Sequence, residues 1–283
     1  MFLIEIIYTF SLVQRSIRLN TGRDCPVVGL GTGGFKKGGL NNTVRDMVRT
    51  AIDFGYRHIE TAGAYGNERA VGQAVNELIA EGRVRREDLF ISTKIFPVFL
   101  KGSKGRSRTL KSVKLALNRL NQTYVDLMLI HFPTPDPSVN RNVWFALEEA
   151  LSLRAVLSIG VSNFNVTEIK NLLKKAKVIP SVAQVESHPL KSQKKLIEFC
   201  GRNGIRVSAR LPLASGFLLN DTTVVSIGQK YSKTAAQVLI RWQLQRGVVA
   251  IPKSAERDGI EENINVFDFS LADEDMKSLD DMN

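Results

Sequence analysis

The sequence predicts a parallel α/β fold, a (β/α)8 barrel of the TIM type, on three observations. Short apolar, β-branched runs recur about every thirty residues, and there are eight of them. Most read as near-continuous apolar stretches, the pattern of strands buried on both faces. Segments of helical periodicity separate them, and eight is the strand number that closes a barrel.

The elements follow in order. A strand over residues 27–32 leads into Gly29-Leu30-Gly31-Thr32-Gly33-Gly34, which matches G-x-G-x-x-G. A dinucleotide fingerprint needs a helix opening at that loop. Here residues 35–40 intervene, and Asp53, the acid at the required distance, falls inside a helix. The glycines are therefore read as a barrel strand and a flexible loop. The first helix covers 43–54, with Val44, Met47, Val48, Ala51 and Ile52 as its apolar stripe. Thr43 and Asp46 form a capping-box-like start and Gly55 a stop. A strand over 58–62 is followed by a helix over 67–79, striped by Ala70, Val71, Ala74, Val75 and Leu78. The pattern repeats as strand 89–94 and helix 109–120, strand 125–131 and helix 142–151, strand 157–163 and helix 166–175. It continues as strand 181–186 and helix 191–200, strand 205–210 and helix 234–245, strand 248–252 and a final helix 272–279.

Composition narrows the reading. A chain of 283 residues fits two domains of about 150 or one barrel of about 250, and the strand count favours one barrel over 16–283. Residues 1–15 are mostly apolar, too short to span a bilayer and without signal-peptide features, so they are read as an N-terminal extension of uncertain status. Two cysteines exclude a disulfide framework and point to a reducing, cytoplasmic setting. Three histidines leave little room for a multi-histidine metal site, so no metal is expected. The net charge of +11 is open to nucleic acid, an anionic membrane or an anionic small molecule. Lys101, Lys104, Arg106, Arg108, Lys111, Lys114 and Arg119 crowd one predicted helix without a nucleic-acid motif. They are read as a solvated face. The expected partner is a small molecule, with no nucleic acid or membrane and a monomer or weak homo-oligomer.

Barrel chemistry sits at the C-terminal strand ends. There the sequence places Glu60, with Tyr65 in the next loop, then Lys94, His131, Ser162, Asn163 and Gln184. Singly, each reads better as a structural polar group. Together they make coherent chemistry. Tyrosine is a poor acid near neutrality; an adjacent ammonium is expected to lower its pKa, and a carboxylate to hold that ammonium in place. A neutral imidazole can polarise a carbonyl. The set suits proton delivery to a carbonyl oxygen while hydride reaches the carbon, and it lacks the nucleophile–base pair of acyl transfer.

Several motifs resemble those of the aldo-keto reductase family. They are Gly55-Tyr56-Arg57-His58-Ile59-Glu60-Thr61-Ala62 with Tyr65-Gly66-Asn67-Glu68, Tyr124-Val125-Asp126-Leu127-Met128-Leu129-Ile130-His131, and Gly160-Val161-Ser162-Asn163-Phe164. Gln184-Val185-Glu186-Ser187-His188-Pro189 and Ile251-Pro252-Lys253-Ser254 with Glu262-Asn263 complete the set. The resemblance implies a barrel that binds NADPH without a Rossmann fold and reduces aldehydes or ketones. It implies Tyr65 as proton donor, Lys94 as the group that tunes it, His131 orienting the carbonyl and Glu60 in the place of the family's aspartate. It assigns Ser162, Asn163 and Gln184 to the nicotinamide carboxamide, Lys253 and Ser254 to the adenosine 2′-phosphate, and Glu262 and Asn263 to the adenine side. Arg210 and Ser215 join the cofactor set, and Phe96 is an apolar wall of the carbonyl pocket.

The sequence departs from that pattern at several positions. Glu60 carries an extra methylene, a shift of about 1.5 Å that is expected to weaken a preorganised pair. Arg210 stands where the resemblance implies a tyrosine stacked on the nicotinamide, and Leu211 replaces the following serine. The arginine implied for the 2′-phosphate falls at Gly259, which opens the site to NADH and leaves Arg257, two residues earlier, as a substitute. The short C-terminus implies an open, permissive substrate pocket. These departures motivate a second reading, a catalytically weak or inactive nucleotide-binding protein with a regulatory or structural role.

Overall fold

The computed structural model describes residues 16–34, 41–97 and 102–283. The N-terminal extension, the 35–40 segment and Lys101 lie outside the described residues.

The described chain begins with an antiparallel hairpin, β1 (Ser16–Arg18) and β2 (Asp24–Pro26), that the periodicity does not announce. Strands of three residues are too short to show alternation. The hairpin closes the barrel floor: Leu19 and Cys25 pack with Phe90, Leu127, Leu129, Val182, Val249 and Ile251 inside the ring.

Then the predicted alternation runs its course. The first turns of the barrel are β3 (Leu30–Gly31), α1 (Asn41–Asp53), β4 (His58–Glu60), α2 (Glu68–Ala80), β5 (Phe90–Ile95) and α3 (Gly102–Leu120). The middle is β6 (Leu127–Ile130), α4 (Pro137–Ser152), β7 (Ile159–Ser162), α5 (Val166–Leu173), β8 (Val182–Glu186) and α6 (Lys194–Arg202). The last quarter is β9 (Arg206–Arg210), α7 (Thr222–Tyr231), α8 (Ala235–Gln245), β10 (Val249–Ile251), α9 (Arg257–Ile264) and α10 (Asp273–Asp280).

All neighbouring pairs from β3 to β10 are parallel, in sequence order. A parallel bridge between Val28 and Ala250 closes the ring, with Gly29 N and Gly31 N donating to Ala250 O and Pro252 O at 2.9 and 2.8 Å. Every residue of β5, β6 and β7 is buried, including Ser92, Thr93 and Lys94 within β5.

Two buried polar groups fix the floor. Asp126, fully buried, accepts from Ile91 N at 3.0 Å and pairs with Arg23 at 2.6 Å and Arg86 at 2.9 Å, tying the hairpin to the ring. His58 lies between Pro26 O at 3.2 Å and Ser92 Oγ at 3.0 Å. Burial pulls its pKa down to about 4, against a weaker upward pull from the Pro26 carbonyl.

The helices depart from the periodicity at informative places. α4 starts earlier than the predicted 142, at Pro137, where Asp136 caps Ser138 N at 2.8 Å. α7 was not foreseen: Thr222, Thr223, Val224 and Val225 favour strand, yet Asp221 caps Thr223 N and Val224 N and turns them into a helix. On α3, Arg106 pairs with Glu149 and Arg119 reaches the buried Glu68 at 3.2 Å, so the basic face is not wholly free in solvent.

Candidate active site

The loop after β4 is built to hold one tyrosine. Thr61 Oγ1 donates to Asn67 Oδ1 at 2.9 Å, and Asn67 Nδ2 donates to Thr32 O at 2.7 Å, pinning both ends of the loop to the barrel rim. Between them Gly63–Tyr65 makes one 3-10 turn, which Gly66 ends at φ +72°. Gly33 backs the ring of Tyr65 so closely that a Cβ there would lie 2.8 Å from Tyr65 Cζ. A Cβ at Gly29 would fall 2.8 Å from Ile251 Cδ1 and 2.9 Å from His58 Cγ, and one at Gly31 3.2 Å from Ile251 Cγ2. Two of the three G-x-G-x-x-G glycines, Gly29 and Gly31, are thus set by close barrel contacts, whereas Gly34 faces open space at φ +84°.

Lys94, at the end of β5 and 1% exposed, donates to Tyr65 Oη at 2.8 Å and contacts Glu60 Oε1 directly. With its extra methylene, Glu60 still meets Lys94 Nζ at the buried strand end. Burial pushes the Lys94 ammonium well below its usual range, with Arg210 adding to the shift. The adjoining Glu60 carboxylate is the compensating charge. Tyr65 differs from expectation. Burial raises its pKa, and the charge that pulls it down is that of Arg210. The balance keeps the phenol protonated.

His131, 7% exposed, stands edge-on to Tyr65 with ring centroids 6.0 Å apart. Burial first, then Lys94 and Arg210, lower its pKa to about 4, so near neutrality it is a neutral imidazole. Phe96 stacks on it at 5.0 Å and Phe132 at 4.6 Å, and both are partly exposed. Phe132 is an aromatic wall that the motifs did not single out.

The ends of β7 and β8 bring the next group together. Ser162 and Gln184 are paired across the sheet, and Asn163, at φ +63°, donates from Nδ2 to His131 O at 2.8 Å and Ser162 Oγ at 3.1 Å. Gln184 is 2% exposed, and its Oε1 accepts no hydrogen bond among the described residues. A buried acceptor of this kind suits an N–H donor brought by a ligand.

A cavity of about 550 Å³ opens beside Tyr65 and Glu60. Tyr65, Glu60, Arg210, Ser215 and Lys253 line it, with Gly31 and Gly33 on the side of β3. The loop after β9 forms another wall. There Leu211, Ala214 and Ser215 have φ of +52°, +49° and +56°, left-handed conformations rare for these residues and concentrated at functional sites. No sequence signal marks them, because none is glycine.

The sequence profile of the Aldo/keto reductase family matches residues 27–283. The chain belongs to this family. Glyoxal reductase of Bacillus subtilis (strain 168) is 40% identical over 271 residues, which cover 96% of this chain and 94% of that protein. Aldose reductase B of Dictyostelium discoideum is 39% identical, covering 95% and 93%. The crystal structure of Bombyx mori aldo-keto reductase in complex with NADP superposes with a TM-score of 0.88 at 36% identity, covering 95% and 92%. The protein is therefore an oxidoreductase, an aldo-keto reductase with a (β/α)8 barrel.

The outer part of the expected cofactor set is less assembled in this aldo-keto reductase. Lys253 lines the cavity, but Ser254 Oγ is occupied locally, accepting from Glu256 N at 3.1 Å and donating to Glu256 O at 3.2 Å. Arg257 does not join Lys253: its guanidinium lies over the Phe54 ring, 4.7 Å from the centroid. Glu262 accepts from Thr234 Oγ1, at the cap of α8, and Asn263 is buried at 4% exposure. A Cβ at Gly259 would fall 2.5 Å from Ser254 Oγ, so α9 sits too close for any side chain there without moving Ser254.

Proposed function

We propose that this aldo-keto reductase reduces small aldehydes or ketones to alcohols with NADPH, and that Tyr65 delivers the proton. The observation that carries the reading is the Lys94 amine group shared between Tyr65 Oη at 2.8 Å and Glu60, with His131 edge-on to the Tyr65 ring. Bound reduced nicotinamide supplies a hydride to the carbonyl carbon. Tyr65 gives its hydroxyl proton to the carbonyl oxygen, and Lys94, hydrogen-bonded to the phenol, stabilises the phenolate as it forms. Neutral His131 donates a hydrogen bond that polarises and orients the carbonyl, with Phe96 and Phe132 stacked beside it as an aromatic wall. Gln184 Oε1 and Ser162 Oγ are the acceptors for the carboxamide N–H groups, and Asn163 holds their surroundings in place.

Lys253 is the cation best placed for a 2′-phosphate, with Ser254 beside it once its local hydrogen bonds exchange. With no arginine at position 259, the preference for NADPH over NADH is modest. The cytoplasm is the proposed location, and a monomer or weak homo-oligomer the proposed state.

The test follows nicotinamide absorbance with 4-nitrobenzaldehyde, NADPH and NADH compared. Turnover is expected with the wild type and none with Tyr65→Phe, whose nucleotide quenching of protein fluorescence is expected to persist. No wild-type turnover with intact quenching would favour the second reading, a nucleotide-binding family member without this activity.

A further inference from the structure

Arg210 ends β9 with its guanidinium divided between Asn163 Oδ1 at 3.1 Å and Glu186 Oε2 at 3.0 Å. The side chain is a third exposed, and it lines both the cavity that holds Tyr65 and a neighbouring pocket of about 380 Å³. Its positive charge is felt at Tyr65, Lys94 and His131 alike, so it belongs to the reacting centre electrostatically as well as spatially. The compensation is partial. Glu186 is the carboxylate that meets Arg210, and it also pairs with His188 at 3.2 Å and Lys191 at 3.6 Å.

A carbonyl held at Tyr65 and His131 can accept hydride only from a donor within about 3–3.5 Å of its carbon. The donor ring must therefore enter the cavity that Arg210 lines. A reduced nicotinamide ring is neutral and an oxidised one is a cation. A fixed guanidinium beside the ring leaves the first alone and opposes the second. We propose that Arg210 discriminates between the redox states of the cofactor, so that the site holds reduced nicotinamide in preference to oxidised. The inference rests on the nicotinamide-dependent reading of the site. Its consequence is a bias of the bound equilibrium toward reduced cofactor and carbonyl, and faster departure of the oxidised cofactor once it forms. Glu186 sets how strong the bias is.

The test titrates protein fluorescence separately with NADPH and with NADP+, on the wild type, Arg210→Gln, Arg210→Lys and Glu186→Gln. Arg210→Gln is expected to tighten NADP+ relative to NADPH by about tenfold, which is about 1.4 kcal/mol. Arg210→Lys, which keeps the charge, is expected to hold the wild-type ratio. Glu186→Gln, which uncovers Arg210, is expected to widen it. A purely structural role for Arg210 would weaken both nucleotides together and leave the ratio unchanged, and that result overturns the inference. Should Arg210→Gln fail to fold, an unchanged ratio in Glu186→Gln overturns it equally. If the wild type binds neither nucleotide, the nicotinamide reading itself falls.

Discussion

Glu60 reaches Lys94 with a side chain one methylene longer than aspartate, and both groups are buried to within 3% of full enclosure. The contact therefore depends on the longer arm. Glu60→Asp would draw the carboxylate back by about 1.5 Å and leave a buried ammonium whose pKa is already pushed down by burial. Lys94 would then hold the phenol less well, and kcat with an aromatic aldehyde is expected to fall about tenfold, while nucleotide affinity stays near the wild-type value. Steady-state kinetics with fluorescence titration checks both halves. An unchanged or higher kcat would mean that the Glu60 contact does not orient Lys94.

At the scale of elements, the loop after β3 backs the ring of Tyr65. A methyl group at Gly33 would stand 2.8 Å from Tyr65 Cζ and 2.9 Å from Cε2, so the ring must move off Lys94. Gly33→Ala is expected to lower kcat by more than tenfold and to alter stability by no more than about 0.5 kcal/mol, because Gly33 lies on a partly exposed loop. Activity and denaturant midpoints measured side by side would separate the two effects, and a normal kcat would show that the ring has room to spare. This contact also marks the limit of what the sequence discloses. The eight barrel strands were legible because strands buried on both faces need unbroken apolar runs, and Lys94 and His131 were legible as polar residues interrupting such runs at their C-terminal ends. Glycines that make room for a ring look the same in sequence as glycines that cradle phosphate. The hairpin was too short to carry periodicity, α7 was hidden by β-branched residues that its Asp221 cap overrides, and the link from Arg210 to Glu186 joins two strands with no shared motif.

The whole barrel separates its two ends. The C-terminal rim holds the strained and chargeable groups. The floor, closed by the hairpin, is fixed by Asp126 and by His58 between Pro26 O and Ser92 Oγ. That division gives the molecule a pH dependence of stability with a source far from the chemistry. Burial holds the folded-state pKa of His58 down to about 4, against an ordinary value of 6.5. As pH falls from 6.5 toward 4 the unfolded chain binds a proton that the folded barrel refuses, so stability is lost across that window. At pH 4.5 the loss is about 2.5 kcal/mol, from 1.36 kcal/mol per pKa unit. His131, also lowered to about 4, adds to the slope in the same sense but from the rim. His58→Gln removes the titration at the floor while keeping a polar group within reach of Ser92. The variant is expected to be less stable than the wild type at pH 7, and that gap is expected to narrow by about 2.5 kcal/mol at pH 4.5 in urea unfolding. A gap of equal size at both pH values would show that the floor histidine takes up its proton in the folded state as readily as in the unfolded one.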